Sequence, residues 1–176
     1  MEHRVRSPLS ERDVSKLSAG DIVWLSGTIY TARDKAHQRL QEVDFDLKGG
    51  VIYHCGPLIR DKAVVSAGPT SSVRLARYLP QVLDLGVRCI IGKGGMPGAA
   101  ELLRGRAVYL AYPGGCGAAA ARSLSVRDVC LPELGMAEAV WRLEATDLGP
   151  MVVAMDSHGR DLYGEVREYA RRHLKR

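Results

Sequence analysis

Three short runs are apolar at nearly every position: Ala63-Val64-Val65, Val87-Arg88-Cys89-Ile90-Ile91 and Met151-Val152-Val153-Ala154-Met155. A strand with one wet face alternates apolar and polar residues. An unbroken run is expected where both faces are covered, so all three read as buried strands. Asp21 to Gly27 reads as a strand closed by glycine, Val51 to His54 as a short strand, and Arg106 to Tyr112 as another. Ser125 to Leu131 alternates, and Glu138 to Thr146 puts Ala139, Trp141, Leu143 and Ala145 on one face at period two. Helical spacing comes next. Thr31 with Asp34 resembles a capping box, and Ala36, Leu40 and Val43 then face inward. A second helical pattern follows Thr70-Ser71-Ser72 and ends near Leu79. Pro80 starts a further helix through Leu85, with Gly86 as its C-cap. Val166, Tyr169, Ala170 and His173 mark a closing helix.

Residues 1–20 read as an N-terminal arm or short helix, and residues 21–176 as one domain. Strands alternate with helices and then cluster late, which predicts an α/β protein with a mixed sheet layered with helices.

Two glycine-rich stretches stand out at the predicted strand ends. In Ser66-Ala67-Gly68-Pro69-Thr70-Ser71-Ser72-Val73-Arg74, Gly68-Pro69 breaks the strand and three hydroxyls follow where helix N–H groups are unpaired. Thr70 and Arg74 lie four apart, so a hydroxyl and a guanidinium share one helical face. This stretch is either a capped helix with a surface arginine or an anion site. In Gly92-Lys93-Gly94-Gly95-Met96-Pro97 the glycines allow close backbone approach while the ammonium reaches a ligand. The spacing is not that of a phosphate P-loop, and a lone Gly-Lys-Gly also describes an exposed turn lysine. Arg33 falls in a helical first turn, where a cation opposes the dipole unless an anion is near; Asp34 is an internal candidate. His54 and Cys55 are nucleophiles on paper, without a positioned partner in the sequence, and read as structural.

Composition narrows the class. With 176 residues, 46% apolar and 26% charged, the chain can bury an adequate single core. Nineteen glycines against one phenylalanine and two tryptophans predict many turns and a core of Val, Leu, Ile and Ala. No apolar run has the length of a membrane span, and Met1-Glu2-His3-Arg4 opens no signal-peptide pattern, so a cytoplasmic protein is expected. Cys55, Cys89, Cys116 and Cys130 are widely separated, which argues for reduced, mostly buried thiols and against zinc. The net charge of +5 gathers at the ends, in Arg4, Arg6, Arg12, Lys16, Arg171, Arg172, Lys175 and Arg176. No aromatic-interleaved basic stripe accompanies it, so no nucleic acid is expected; an acidic substrate or partner suits the charge.

Several motifs in order carry a family resemblance. Gly27-Thr28-Ile29-Tyr30-Thr31-Ala32-Arg33-Asp34-Lys35-Ala36-His37, Ala67-Gly68-Pro69-Thr70-Ser71-Ser72-Val73-Arg74 and Ile91-Gly92-Lys93-Gly94-Gly95-Met96 resemble the beta subunit of class I fumarate hydratases. They equally resemble the beta subunit of L(+)-tartrate dehydratase. Leu134 to Trp141 and Val153 to Gly159 resemble the later segments of the same family, and the likeness runs from Asp21 to Tyr163. Ser71 stands where the family often has a second threonine, and Leu75 where it often has methionine.

The resemblance implies a swivelling β/β/α domain and reversible hydration of a C4 dicarboxylate, fumarate to malate, with tartrate dehydration as the alternative. It implies a [4Fe-4S] cluster held by cysteines of a separate alpha subunit; the cysteines here do not match those ligands. It makes Arg33, Arg74 and Lys93 substrate-binding cations and Thr70 a catalytic residue. The chain would then work only in a hetero-oligomer with the cluster-bearing alpha subunit. Two cations that grip carboxylates bidentately and one point charge suit a substrate that becomes more anionic as a C–H proton leaves. An aconitase-type swivel subunit and a basic non-enzymatic binding module are the remaining readings.

Overall fold

The computed structural model describes residues 1–174; Lys175 and Arg176, counted above among the basic termini, lie outside the described residues. The strands are β1 (Glu2–Arg6), β2 (Ile22–Thr31), β3 (Val51–Tyr53), β4 (Leu58–Arg60), β5 (Ala63–Ser66), β6 (Cys89–Gly92), β7 (Val108–Ala111), β8 (Leu124–Cys130) and β9 (Val140–Met155). The helices are α1 (Glu11–Ser15), α2 (Asp34–Gln38), α3 (Leu79–Asp84), α4 (Ala99–Leu103), α5 (Gly117–Ala121) and α6 (Leu162–His173). A 3-10 segment, Ser72–Tyr78, runs directly into α3.

β2, β3, β6 and β7 are parallel neighbours, and β9 pairs antiparallel with both β7 and β2, so five strands close into a ring. β1 joins β2 in parallel, and β8 joins β9. The closed sheet has two buried surfaces. Inside the ring, Val23, Leu25, Ile29, Tyr53, Ile91, Leu110, Leu143 and Met151 form one cluster, with Val14 and Leu17 packed against them. Outside, Ile52, Ile90 and Tyr109 meet Ala36, Leu79, Val82, Met96 and Leu103 from the α2, α3 and α4 segments. Successive residues of β3, β6 and β7 thus alternate between two cores, which is why their sequences do not alternate in polarity. The mixed sheet with helices layered on it is the β/β/α arrangement expected above. Among the described residues, no helix is long and apolar enough to cross a membrane.

Several elements differ from the expectations. The arm contributes edge strand β1, paired from Glu2↔Ile22 to Arg6↔Ser26, and Val14 and Leu17 are buried at 1% exposure each. Ala63–Val65 is not a doubly buried strand. It pairs only with β4, in a hairpin whose Leu58 and Val65 are exposed while Val64 packs inward. Three apolar residues did not distinguish a hairpin with one wet face from a central strand. The two late strands are one sixteen-residue strand, β9, long enough to serve β8 and β7 on one edge and β2 on the other. α6 buries no residue: Val166 and Tyr169 recur at helical spacing but face solvent. The thiols are free as expected, with Cys55 and Cys89 buried and Cys116 and Cys130 half-buried.

Ile91→Ala should cost about 2–5 kcal/mol, because the ring interior cannot collapse onto the hole. Val65→Thr, on the hairpin's wet face, should stay within about 0.5 kcal/mol of wild type. Urea unfolding of both variants checks the contrast; a Val65 cost comparable to that of Ile91 would contradict the exposed hairpin.

Candidate active site

The two glycine-rich stretches meet because the chain lays one across the other. Thr70 N–H donates to the His54 carbonyl (2.7 Å), Lys93 N–H to the Thr70 carbonyl (3.1 Å), and Ser72 N–H to the Lys93 carbonyl (3.0 Å). Pro69 bridges Cys55, and Ser71 bridges Lys93. Residues 69–72 therefore act as a short extra rung between the carboxyl ends of β3 and β6, where open parallel sheets collect ligands. Tyr53, buried in the ring, donates its hydroxyl to the Ala67 carbonyl (2.5 Å) and pins the start of this rung.

The expected capping by hydroxyls does not occur. Ser71 is the N-cap of the 3-10 segment and makes no side-chain cap bond. The Thr70 hydroxyl instead accepts from Arg74 Nη2 (3.0 Å), and Ser72 Oγ is drawn inward to His54 Nδ1 (2.8 Å). Thr31 and Asp34 form no capping box either. Thr31 ends β2, where its Oγ1 accepts from Trp141 N–H (3.1 Å), and Arg33 becomes the N-cap of α2. The open end of α2 is capped across the fold by Glu138, whose Oε2 accepts from Lys35 N–H (2.8 Å).

Arg33, Thr70 and Arg74 are brought together with two carboxylates between them. Arg74 donates from Nε and Nη2 to Asp34 at 3.3 and 3.1 Å. Its guanidinium holds the Asp34 carboxyl below the usual range, first through the hydrogen bond and then through its charge. Asp34 is thus the partner of Arg74, not of its neighbour Arg33. Arg33 Nε lies 3.6 Å from Glu138 Oε1, too far for a good hydrogen bond, and has no hydrogen-bond partner among the described residues. The Arg33 side chain presses on Gly56, where a Cβ would come within 2.6 Å of its Cδ. Gly56 is glycine because an arginine passes over it.

Lys93 joins this group through its backbone only. Its side chain is exposed and turns toward Gly114, where it lines a cavity of about 340 Å³ with Ala111, Tyr112, Pro150 and Tyr163. A larger concavity along α6, beside Arg167, Ala170 and Leu174, contains none of the four residues. No group of three His, Cys, Asp or Glu suited to a metal gathers among the described residues. Burial pushes the Cys55 thiol up to about 12 and raises that of Cys89 as well.

A family model described as fumarase C-terminus matches residues 2–166. The chain belongs to the fumarase C-terminus family. It is 46% identical to the putative L(+)-tartrate dehydratase subunit beta of Methanocaldococcus jannaschii, over 90% of this chain and 89% of that protein. It is 33% identical to the L(+)-tartrate dehydratase subunit beta of Escherichia coli, over 94% and 88% respectively. It is also 38% identical to a putative class I fumarate hydratase of Geobacillus stearothermophilus, over 92% of this chain but 34% of that longer protein. As a member of the fumarase C-terminus family, it is a beta-type subunit of a class I hydro-lyase.

Sequence reasoning missed Glu138, which both caps α2 and faces Arg33, although it sits in one of the stretches that resemble the family. It also missed what lies beneath the site. His37 and His54 are buried edge to face, ring centroids 5.1 Å apart. His37 Nδ1 lies 2.7 Å from the Arg33 carbonyl, and its Nε2 is buried without a partner. Burial lowers the pKa of His37 and drives that of His54 well down, where His37 and then Arg74 add to the effect. Both rings are therefore neutral in the folded protein.

A pH dependence follows from these two rings. The unfolded chain protonates both near the ordinary histidine value of about 6.5, while the folded chain does so only at lower pH. Their contribution is complete above that value and is lost as pH falls below it, by up to about 1.4 kcal/mol per pH unit for each ring. Urea titrations between pH 7 and pH 5 should show this fall, and His54→Gln should flatten it; an unchanged slope in that variant would contradict a neutral buried His54.

Proposed function

We propose that this chain is the substrate-gripping half of a hydro-lyase acting on a C4 dicarboxylate, with L(+)-tartrate as the first candidate substrate. An alpha subunit would carry the [4Fe-4S] cluster of this enzyme class, since the four thiols of this chain do not assemble a ligand set. The names of the two beta-subunit relatives favour tartrate. The Geobacillus relative favours fumarate and malate as a second reading, and in that longer protein a match to this chain occupies only 34% of the length.

The observation that carries the reading is the Thr70–Arg74 contact at 3.0 Å within a cluster that also holds Arg33. A hydroxyl that accepts from a guanidinium keeps its own proton free to donate, and its alkoxide is favoured by the same contact. Thr70 is thereby suited to exchange a proton with the substrate carbon. Removing that C–H proton builds charge on the adjacent carboxylate, and fixed cations stabilise it as it forms. Arg74 spends Nε and Nη2 on Asp34 and Thr70, which leaves Nη1 available for a substrate oxygen. Arg33 has an uncommitted Nε. Lys93, bonded to this rung through its backbone, is a third cation and pairs with no carboxylate among the described residues.

Arg74→Ala, assembled with the alpha subunit, should lose about 10–100-fold in kcat/KM, or about 1.5–3 kcal/mol of transition-state binding. Loss of tartrate and of fumarate, followed in parallel, measures this and ranks the substrates. Near-normal turnover of both by the variant would remove Arg74 from the site.

A further inference from the structure

Beneath the rung that carries Thr70, and the Lys93 turn bonded to it, lies a buried row of polar groups with no role in the site described so far. His54 Nδ1 is 2.8 Å from Ser72 Oγ, Ser72 Oγ is 3.0 Å from Tyr109 Oη, and Tyr109 Oη is 2.6 Å from the Gly94 carbonyl. His54 and Ser72 are 2% and 0% exposed, and Tyr109 is 0% exposed. Gly92 leaves the space for this row: a Cβ there would lie 1.9 Å from Ser72 Oγ and 3.1 Å from both His54 Nδ1 and Tyr109 Oη.

Counting protons gives the row a direction. Tyr109 has one proton, and the Gly94 carbonyl, an acceptor only, is its nearest partner. The Ser72–Tyr109 contact then needs the proton of Ser72. Ser72 can no longer donate to His54, so the His54 contact needs a proton on Nδ1. All three contacts are satisfied together in only this order: His54 Nδ1–H to Ser72, Ser72 O–H to Tyr109, Tyr109 O–H to Gly94. The opposite tautomer, with the proton on Nε2, leaves one of the three contacts without a hydrogen. His37 shows the same pattern, since its Nδ1 faces a carbonyl, that of Arg33, and must carry the proton.

We propose that His54, Ser72 and Tyr109 are positioning residues, a one-way donor chain that holds the Thr70 rung and the Lys93 turn in register. The chain ties three backbone points. Ser72 N–H is bonded to the Lys93 carbonyl, Thr70 N–H to the His54 carbonyl, and the Gly94 carbonyl, in a left-handed glycine at φ 74°, is held by Tyr109. Ser72 is the one polar side chain of the rung that is fully buried. Its loss frees both the residue that exchanges the proton and the lysine turn, without removing either. The neutrality of His54, set by burial, is what allows its Nδ1–H to point at a hydroxyl with a free lone pair on the other nitrogen.

The proposal rests on the hydro-lyase reading for its catalytic consequence, and its test separates the two. In the full chain with isotope-labelled histidine, two-bond imidazole N–H correlation NMR should show His54 as the neutral Nδ1–H tautomer. In Tyr109→Phe the Ser72 proton has no acceptor left but His54 Nδ1, so His54 should switch to Nε2–H; a role in packing alone would leave the tautomer unchanged. Assembled with the alpha subunit, Tyr109→Phe and Ser72→Ala should lose roughly 10–100-fold in kcat, as expected for misplaced reacting groups. An Nε2–H tautomer in the wild type, or no switch in Tyr109→Phe, overturns the donor chain. Wild-type kcat and KM in both variants overturn the positioning role. The tautomer measurement needs no turnover, so it decides the donor chain even where the wild-type complex turns over neither tartrate nor fumarate.

Discussion

The antiparallel pairing of β2 with β9 is the contact on which the rest of the molecule depends. Without it the sheet would be open, with an unpaired edge on β2 and another on β9. With it, Ile29 faces Leu143 and Tyr30 faces Arg142, and the ring interior is sealed. The same pairing carries the start of β9 to the end of β2, so that Trp141 N–H reaches Thr31 and Glu138 reaches both Lys35 and Arg33. The pairing that closes the core thus also sets Glu138 against Arg33.

The cluster shows how arginines are kept ready in a partly wet cleft. A free guanidinium on a long stem samples many rotamers, and binding must then stop them. Asp34 holds Arg74 by two bonds, and Gly56 gives Arg33 a flat track that no larger residue would leave open. The carboxylates leave the local charge near balance and so reduce the mutual repulsion of two cations. On the proposed function, a dianion entering this cleft would meet donors whose directions are already set, which favours the state in which its charge is greatest.

Much of this was legible in the sequence. The unbroken runs in β6 and β9 reported strands buried on both faces, and Pro80 with Gly86 bracketed α3. The co-occurrence of Arg33, Thr70, Arg74 and Lys93 in motifs in the right order pointed to one site, and three of the four lie together. The failures share a cause. Capping and pairing rules are local, whereas the partners used here come from far along the chain. Glu138 caps α2 from a hundred residues away, Asp34 serves Arg74 rather than Arg33, and Ser72 bonds His54 and Tyr109 instead of its own helix. Hydroxyls at an apparent N-cap cannot reveal which of two demands will claim them. The β4–β5 run failed differently: three apolar residues do not say how many of their faces are covered.

That hairpin leaves the fold and returns to it at fixed points. Cys55 bridges Pro69, the Ala67 carbonyl is gripped by Tyr53, and Ala67 N–H is bonded to the Gly117 carbonyl, so the chain on either side is anchored before the hairpin begins. Between those anchors Val64 packs on the core and Ile59 N–H reaches Met136 Sδ, whereas Leu58 and Val65 on the outer face are exposed and can change at little cost. That outer face is a surface the protein can vary while the anchored chain on either side keeps its place.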